Sequence, residues 1–347
     1  MNNQPNIFNY AKSELTQDAF IIWLLHWANP TYKIQNVQLH ELGTSFLQSL
    51  VAFRNITIGE ISELDIKPQY KKIDVFVTFK MNECIYGIIV EDKVHSSDHS
   101  NQLERYINKI SELKTCNVLV PIYFKTGYQV NLSRIIENKY HHYTVKDFLS
   151  VLTPEKVNAI DHDILSQYHS YLLQKENEFD NAEIESNCYL TTPINDWKWW
   201  SCVRFFHDYK IHFNAKWGEV ANNRERLLAF WFGSREITVT SDDNQLIVLN
   251  LYMDVVFGKK QIQVSYRINL LGNEQKNAFI KNQIYEPFLP FLKENKIEVR
   301  KAKFTQAKRS LLLAQISNLD RNMKYESFVE KIEHYQKALN KFVDSRI

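Results

Sequence analysis

The stretch KKIDVFVTFKMNECIYGIIVEDK, Lys71 to Lys93, decides the reading of this chain. Lys72 to Phe79 is rich in β-branched and aromatic residues, with Ile73, Val75, Val77 and Phe79 on one face of a period-two strand. Ile85-Tyr86-Gly87-Ile88-Ile89-Val90 is a continuous apolar run, the pattern of a strand covered on both faces. That run stops at Glu91-Asp92-Lys93. Side chains alternate along a strand, so Glu91 and Lys93 project from one face and Asp92 from the other. A neighbouring strand places Asp74 beside Glu91, and two carboxylates and an ammonium then converge at one edge of a sheet.

Working outward, Ser13 is a plausible N-cap and Leu15 to Trp27 is nearly apolar all round, which predicts a helix buried on most sides. A second helix is expected at about 40–53, with Leu42, Phe46, Leu47, Leu50 and Val51 on one stripe. Ile56, Ile58 and Ile61 predict a strand, ended by a turn around Lys67-Pro68-Gln69. After Lys93 come a helix over about 99–114, a buried strand at 118–124, a short strand near His142-Tyr143-Thr144 and then Asp147-Phe148-Leu149. This order predicts an α/β layer design, a mixed sheet with helices on both faces. A long helix is expected over 155–176, and the polar, acidic stretch from Glu176 to Asn195 marks a boundary. Beyond it an aromatic helix (Trp197 to His212), strands near 227–240, 245–257 and 261–270, a tight turn at Gly258-Lys259-Lys260, and helices at 273–293 and 325–342 predict an α+β domain. The expected division is 1–178, a linker over 179–195, and 196–347.

The convergence at Lys71–Lys93 has a specific chemistry. Two hard carboxylate oxygens can hold Mg²⁺ together with waters and a phosphate oxygen. The ion lowers the pKa of a bound water and offsets charge on a phosphorane-like transition state. Lys93 can hold the attacking water or neutralise the same phosphate oxygens. E-x-K alone carries little, since such triplets begin at Glu91, Glu112, Glu137, Glu274 and Glu294. Only Glu91 ends an apolar strand that follows another strand with an embedded carboxylate. Burying these charges is costly without a metal or a partner. The metal reading is preferred, and a structural ion pair of Lys93 with Asp74 is the alternative.

Composition narrows the remaining classes. The 347 residues are 44% hydrophobic and 24% charged, which excludes wholesale disorder and fibrous repeats. With 8 glycines and neither G-x-G-x-x-G nor G-x-x-x-x-G-K-[ST], a glycine-rich phosphate cradle is not expected. No apolar run approaches the roughly 18–20 residues that span a bilayer, and the N-terminus lacks a signal-peptide pattern. Four scattered cysteines without a C-x-x-C pair predict neither disulfides nor structural zinc, and a cytoplasmic location is expected. The net charge of +2 hides an asymmetry: residues 1–180 carry 17 Lys/Arg against 21 Asp/Glu, and residues 181–347 carry 25 against 19. The second half is the part expected to meet a polyanion.

Asp74 and Glu91-x-Lys93, set in strand–strand–helix order, resemble the PD-(D/E)XK nuclease superfamily. Glu14-Leu15-Thr16-Gln17-Asp18-Ala19-Phe20 with Trp23-Leu24-Leu25, and Gln102-Leu103-Glu104-Arg105-Tyr106, are similar to one bacterial branch of it, associated with defence and mobile elements. The resemblance covers roughly residues 8–150. It implies a restriction-endonuclease-like core and Mg²⁺-dependent hydrolysis of nucleic-acid phosphodiesters, DNA ahead of RNA, by an endo- or exonuclease, with Mn²⁺ able to substitute. It further implies that Asp74 and Glu91 bind metal, with the backbone carbonyl of Asp92 as a further ligand, and that Lys93 is the catalytic lysine. Glu14 is placed near the metal, through water; Gln102 orients the scissile phosphate or the lysine, and Tyr106 is a weaker candidate. The residue before Asp74 is Ile73 where the superfamily pattern has proline, a position that varies among members. The alternative is a catalytically silent nucleic-acid-binding or assembly subunit with the same fold. No membrane partner is implied, and a homo-oligomer is left open.

Other residues are read more plainly. His95 and His99 have the spacing of a metal pair but flank a polar loop, so solvent exposure is expected. His141-His142 is read as surface, and of Trp197, Trp199 and Trp200 at least two are expected in a core rather than on bases. Residues 296–309 hold six basic residues and one acid. Arg300, Lys303, Lys308 and Arg309 are the candidate phosphate contacts; a solvated, lysine-protected sheet edge is the alternative.

Overall fold

Three antiparallel strands form a meander that presents the Lys71–Lys93 stretch. They are β1 (Glu63–Tyr70), β2 (Ile73–Met81) and β3 (Cys84–Lys93). Two-residue turns at Lys71-Lys72 and Asn82-Glu83 join them, all four residues having φ between 49° and 76°. Left-handed backbone at both central positions matches the right-handed twist of the flanking strands. In this computed structural model the described residues are 6–10, 14–94, 101–220, 227–240, 246–258, 261–269, 280–301 and 310–346. The chain divides into two compact units, Met1–Ala182 and Glu183–Ile347.

In the first unit, α1 (Ile7–Tyr10), α2 (Glu14–Trp27) and α3 (Val37–Val51) precede the meander. From β3 the chain crosses through α4 (Gln102–Leu113) to β4 (Val118–Lys125), then through α5 (Ser133–Glu137) to β5 (His141–Thr144). β3, β4 and β5 pair in parallel, so the sheet β1-β2-β3-β4-β5 is mixed. α6 (Val145–Val151), α7 (Pro154–Ile160) and α8 (Asp163–Asn187) follow. One core joins Val75, Val77, Ile88, Val90 and Phe124 to α2, α3, α6 and α8; Phe20 stacks on Tyr168 and Phe46 on Phe148. Gly43 makes the α2–α3 approach possible, because a Cβ there would lie 2.7 Å from Leu24 O. A second core on the other face joins Ile73, Phe76, Ile89 and Tyr123 to Leu103, Tyr106 and Ile110 of α4.

Several expectations differ from this arrangement. Residues 56–61 form no strand, and Lys67-Pro68-Gln69 is not a turn but the interior of β1. β1 is the sheet's edge, where a proline that cannot donate interrupts no ladder. Ile73 packs with the second core instead of with Val75 and Val77, since it adjoins the turn. The helix expected over 155–176 is two helices, broken where Asp161 takes φ 49°, and the polar stretch after Glu176 stays helical to Asn187.

The second unit is a six-stranded antiparallel sheet with helices. α9 (Trp199–Tyr209) leads to β6 (Lys216–Val220), β7 (Leu227–Thr240), β8 (Leu246–Gly258) and β9 (Gln261–Asn269). α10 (Glu286–Glu294), β10 (Val299–Lys301), β11 (Ser310–Ile316) and α11 (Tyr325–Asp344) complete it, in strand order β10-β11-β9-β8-β7-β6. β6, β10 and β11 escape sequence reading because each is short and lies next to polar residues. No helix among the described residues is long and apolar enough to cross a membrane.

Candidate active site

The apolar run of β3 carries Glu91, Asp92 and Lys93 into the interior: Glu91 and Asp92 are fully buried and Lys93 is 6% exposed. Val75 pairs with Val90, so the next step of the antiparallel register sets Asp74 opposite Glu91. The Asp92 backbone N–H donates to Asp74 Oδ2 at 2.9 Å, which locks that step. On the other side of β3, Glu91 is paired with Tyr123 and Lys93 with Lys125 of β4.

Lys93 Nζ sits among three oxygens. It donates to Glu91 Oε1 at 2.5 Å and to the Asp92 backbone carbonyl at 2.9 Å, and lies 3.7 Å from Asp74 Oδ2. Gln102, at the first position of α4, donates from Nε2 to Glu91 Oε1 at 2.7 Å and to the Tyr106 hydroxyl at 2.9 Å. One helical turn separates Gln102 from Tyr106, so both reach the same spot from one face of α4. The second carboxylate oxygen, Glu91 Oε2, is buried and has no hydrogen-bond partner. Burial first, and then the charge of Asp74 beside it, push the Glu91 carboxyl up to about 7 against the pull of Lys93. Burial likewise raises the Tyr106 hydroxyl.

Behind this cluster lies a layer that sequence reading missed. The Asp92 side chain points to the opposite face of β3, where Gln17 of α2 donates to its Oδ1. Gln69 of β1 bridges Asp18 Oδ2 and Asp74 Oδ1, at 3.4 Å from each. Gln17 and Asp18 are 2% and 4% exposed. Two polar residues just ahead of the apolar run over residues 19–25 of α2 were the available signal. Glu14, expected near the metal, opens α2, and its side chain lies outside what is described.

Asp74, Glu91, Asp92, Lys93, Gln102 and Tyr106 thus come together. His95 and His99 lie outside the described residues, as do Lys303, Lys308 and Arg309; Arg300 stands on β10 in the second unit. His141 and His142 are half-buried on β5 instead of on the surface, with burial lowering both imidazoles. Trp197 is buried against Phe205 and Phe328, while Trp199 and Trp200 are half-buried.

Among the described residues, no group of three or more His, Cys, Asp or Glu side chains is arranged to hold a metal ion. The oxygens available at the end of β3 are two carboxylates and a backbone carbonyl. That donor set suits a hard cation such as Mg²⁺, which takes one or two carboxylates and keeps several waters. The unpartnered Glu91 Oε2 is a buried acceptor such an ion would satisfy. Comparison of the chain with protein-family models, with curated proteins and with solved structures finds no match.

Proposed function

We propose that the protein is a metal-dependent nuclease with a restriction-endonuclease-like core in its first unit, hydrolysing phosphodiester bonds of nucleic acid, DNA ahead of RNA. The observation that carries the reading is the buried, unpartnered Glu91 Oε2 beside Asp74 and Lys93. Asp74, Glu91 and the Asp92 carbonyl are the groups that would hold Mg²⁺; bound there, it would activate a water and offset phosphate charge. Lys93 keeps an ammonium within reach of both carboxylates, placed to hold the attacking water or a phosphate oxygen. Gln102 fixes the Glu91 rotamer and its own amide at once, through its bonds to Glu91 and Tyr106. The Asp92 N–H orients Asp74, so one short strand end sets three of the groups.

The test is cleavage of linear and circular, single- and double-stranded DNA and of RNA with Mg²⁺, Mn²⁺ or Ca²⁺. Activity is expected with the first two and little with Ca²⁺, whose larger, flexible coordination sphere orients water poorly. Full activity in excess EDTA would sink the reading. The close Lys93–Glu91 contact favours a second one, in which the ammonium permanently neutralises the site and the fold serves binding alone. Calorimetric titration separates the two: no heat from Mg²⁺ or Mn²⁺ at millimolar concentration selects the silent subunit.

A further inference from the structure

One row of directly opposed residues crosses all six strands of the second sheet. It runs Arg300 (β10), Gln315 (β11), Ser265 (β9), Asp254 (β8), Trp231 (β7), Lys216 (β6). Opposed residues of antiparallel strands share a face. The alternate residues face the other way: Phe230 stacks on Phe206 of α9, Phe232 packs on Phe213, and Tyr266 packs on Phe288 of α10 and donates its hydroxyl proton to Tyr335 O of α11. The row therefore lies on the face opposite these helices.

The ends of the row are exposed and its middle is not: Ser265 and Asp254 are 5% and 2% exposed. Lys216 and Arg300 are both exposed, and neither has a carboxylate partner among the described residues. Trp231 is half-exposed between them. In the next row Tyr252 stands opposite Arg267, and its hydroxyl shares a hydrogen bond with Ser310 Oγ at 2.8 Å; beyond them Asn250 stands opposite Asn269. The one carboxylate in the row, Asp254, is 2% exposed and taken by the Arg267 guanidinium. The exposed acid Glu236 stands opposite Asn250, about 13 Å along the strand from the row.

We propose that this face is a platform for single-stranded nucleic acid. Five interstrand spacings put the two end cations roughly 24 Å apart, a span matched to a short run of nucleotides. Trp231 and Tyr252 offer ring faces on which unpaired bases stack, and the Gln315 amide offers a donor and an acceptor to a base edge. End cations without a carboxylate partner among the described residues, around a self-neutralised centre, suit a ligand with a charged backbone and neutral bases. A duplex keeps its base faces inside the stack, so the rings select single strands.

The inference rests on nucleic acid being the ligand, as in the proposed function, and it is read by binding alone so that the two fail separately. Anisotropy of a fluorescein-labelled 12-nucleotide dT strand and of a 12-bp duplex is measured with the full chain in EDTA. The single strand should bind more tightly. Trp231→Ala should weaken it roughly 5–150-fold, the range one stacked base carries, and Trp231→Phe should restore most of the loss. The exposed-site pair Lys216→Glu with Arg300→Glu should flatten the slope of log K against log salt by about 1.4. Circular-dichroism melting checks that each variant is folded. No oligonucleotide binding, equal binding by folded Trp231→Ala, or an unchanged salt slope in the charge pair overturns the platform. Single-strand binding without cleavage under any divalent metal overturns the nuclease reading and leaves the platform standing.

Discussion

Both sheets bury a carboxylate within a strand and set a strand-borne cation against it. In the second, Asp254 is met by Arg267 on the adjacent strand and by Ser265 directly opposite. In the first, Glu91 is met by Lys93, but Asp74 stands on its other side and Glu91 Oε2 is left without a partner. Burial raises both carboxyls. Each carboxylate keeps one buried oxygen without a hydrogen-bond partner, Asp254 Oδ1 and Glu91 Oε2. The difference is in charge, since one carboxylate with one guanidinium is a neutral pair, whereas two carboxylates around one ammonium are not. A neutral pair holds a fold together. A surplus at the end of a strand is where the proposed metal ion would sit.

The largest effect that tests this contrast is catalytic. Asp74→Ala, Glu91→Ala and Lys93→Ala should each lower cleavage by about 10²–10³-fold or more, the scale on which single preorganised charge-stabilising groups act. Asp254→Asn should cleave as wild type under identical conditions. If all three first-unit variants cut as wild type does, the site lies elsewhere.

Stability should move the other way round. Arg267→Met leaves Asp254 buried without its cation, at a cost of about 3–5 kcal/mol. At pH 8 the melting midpoint should drop by roughly 10 °C. The loss should shrink at pH 5, where protonation relieves the stranded carboxylate. An unchanged midpoint at pH 8 would mean that the pair contributes nothing.

Glu91→Gln should do the opposite. A carboxyl held at about 7 in the folded chain, above its ordinary unfolded value, favours folding only while protonated. That contribution is complete below the unfolded pKa and is lost as pH rises through about 7, a swing of up to about 3 kcal/mol. Without divalent metal, Glu91→Gln should therefore melt higher than wild type at pH 8 and like wild type at pH 5. Mg²⁺ must displace the same proton, so its affinity should rise up to tenfold per unit below pH 7 and level off above. A midpoint lowered by Glu91→Gln at pH 8 would show that the Lys93 pair outweighs the surplus.

The smallest effect probes the layer behind β3. Gln17→Leu removes a donor from the buried Asp92 carboxylate and should cost about 1–3 kcal/mol, read as a shift in urea midpoint at unchanged slope. The same substitution should weaken Mg²⁺ binding if the Asp92 backbone, which holds Asp74 and Lys93, loses its anchor.

Local pattern alone determined the part of this protein whose partners lie close along the chain. The apolar run ending at Glu91, the strand containing Asp74 before it and the helix carrying Gln102 and Tyr106 after it lie within 36 residues. Period-two alternation and a two-residue turn then leave few ways to arrange Asp74, Glu91 and Lys93. Tertiary structure decided whatever required a distant partner. Gln17 reaches Asp92 across 75 positions and Gln69 reaches Asp18 across 51, and no periodicity announces either. Pro68 reads as a turn until β1 is known to be an edge. The six-residue row from Arg300 to Lys216 exists only through register, because nothing within any one strand marks its member as part of a row. Hydrophobic spacing encodes which face of an element is buried, but pairing between elements is settled by packing free energy summed over the whole core.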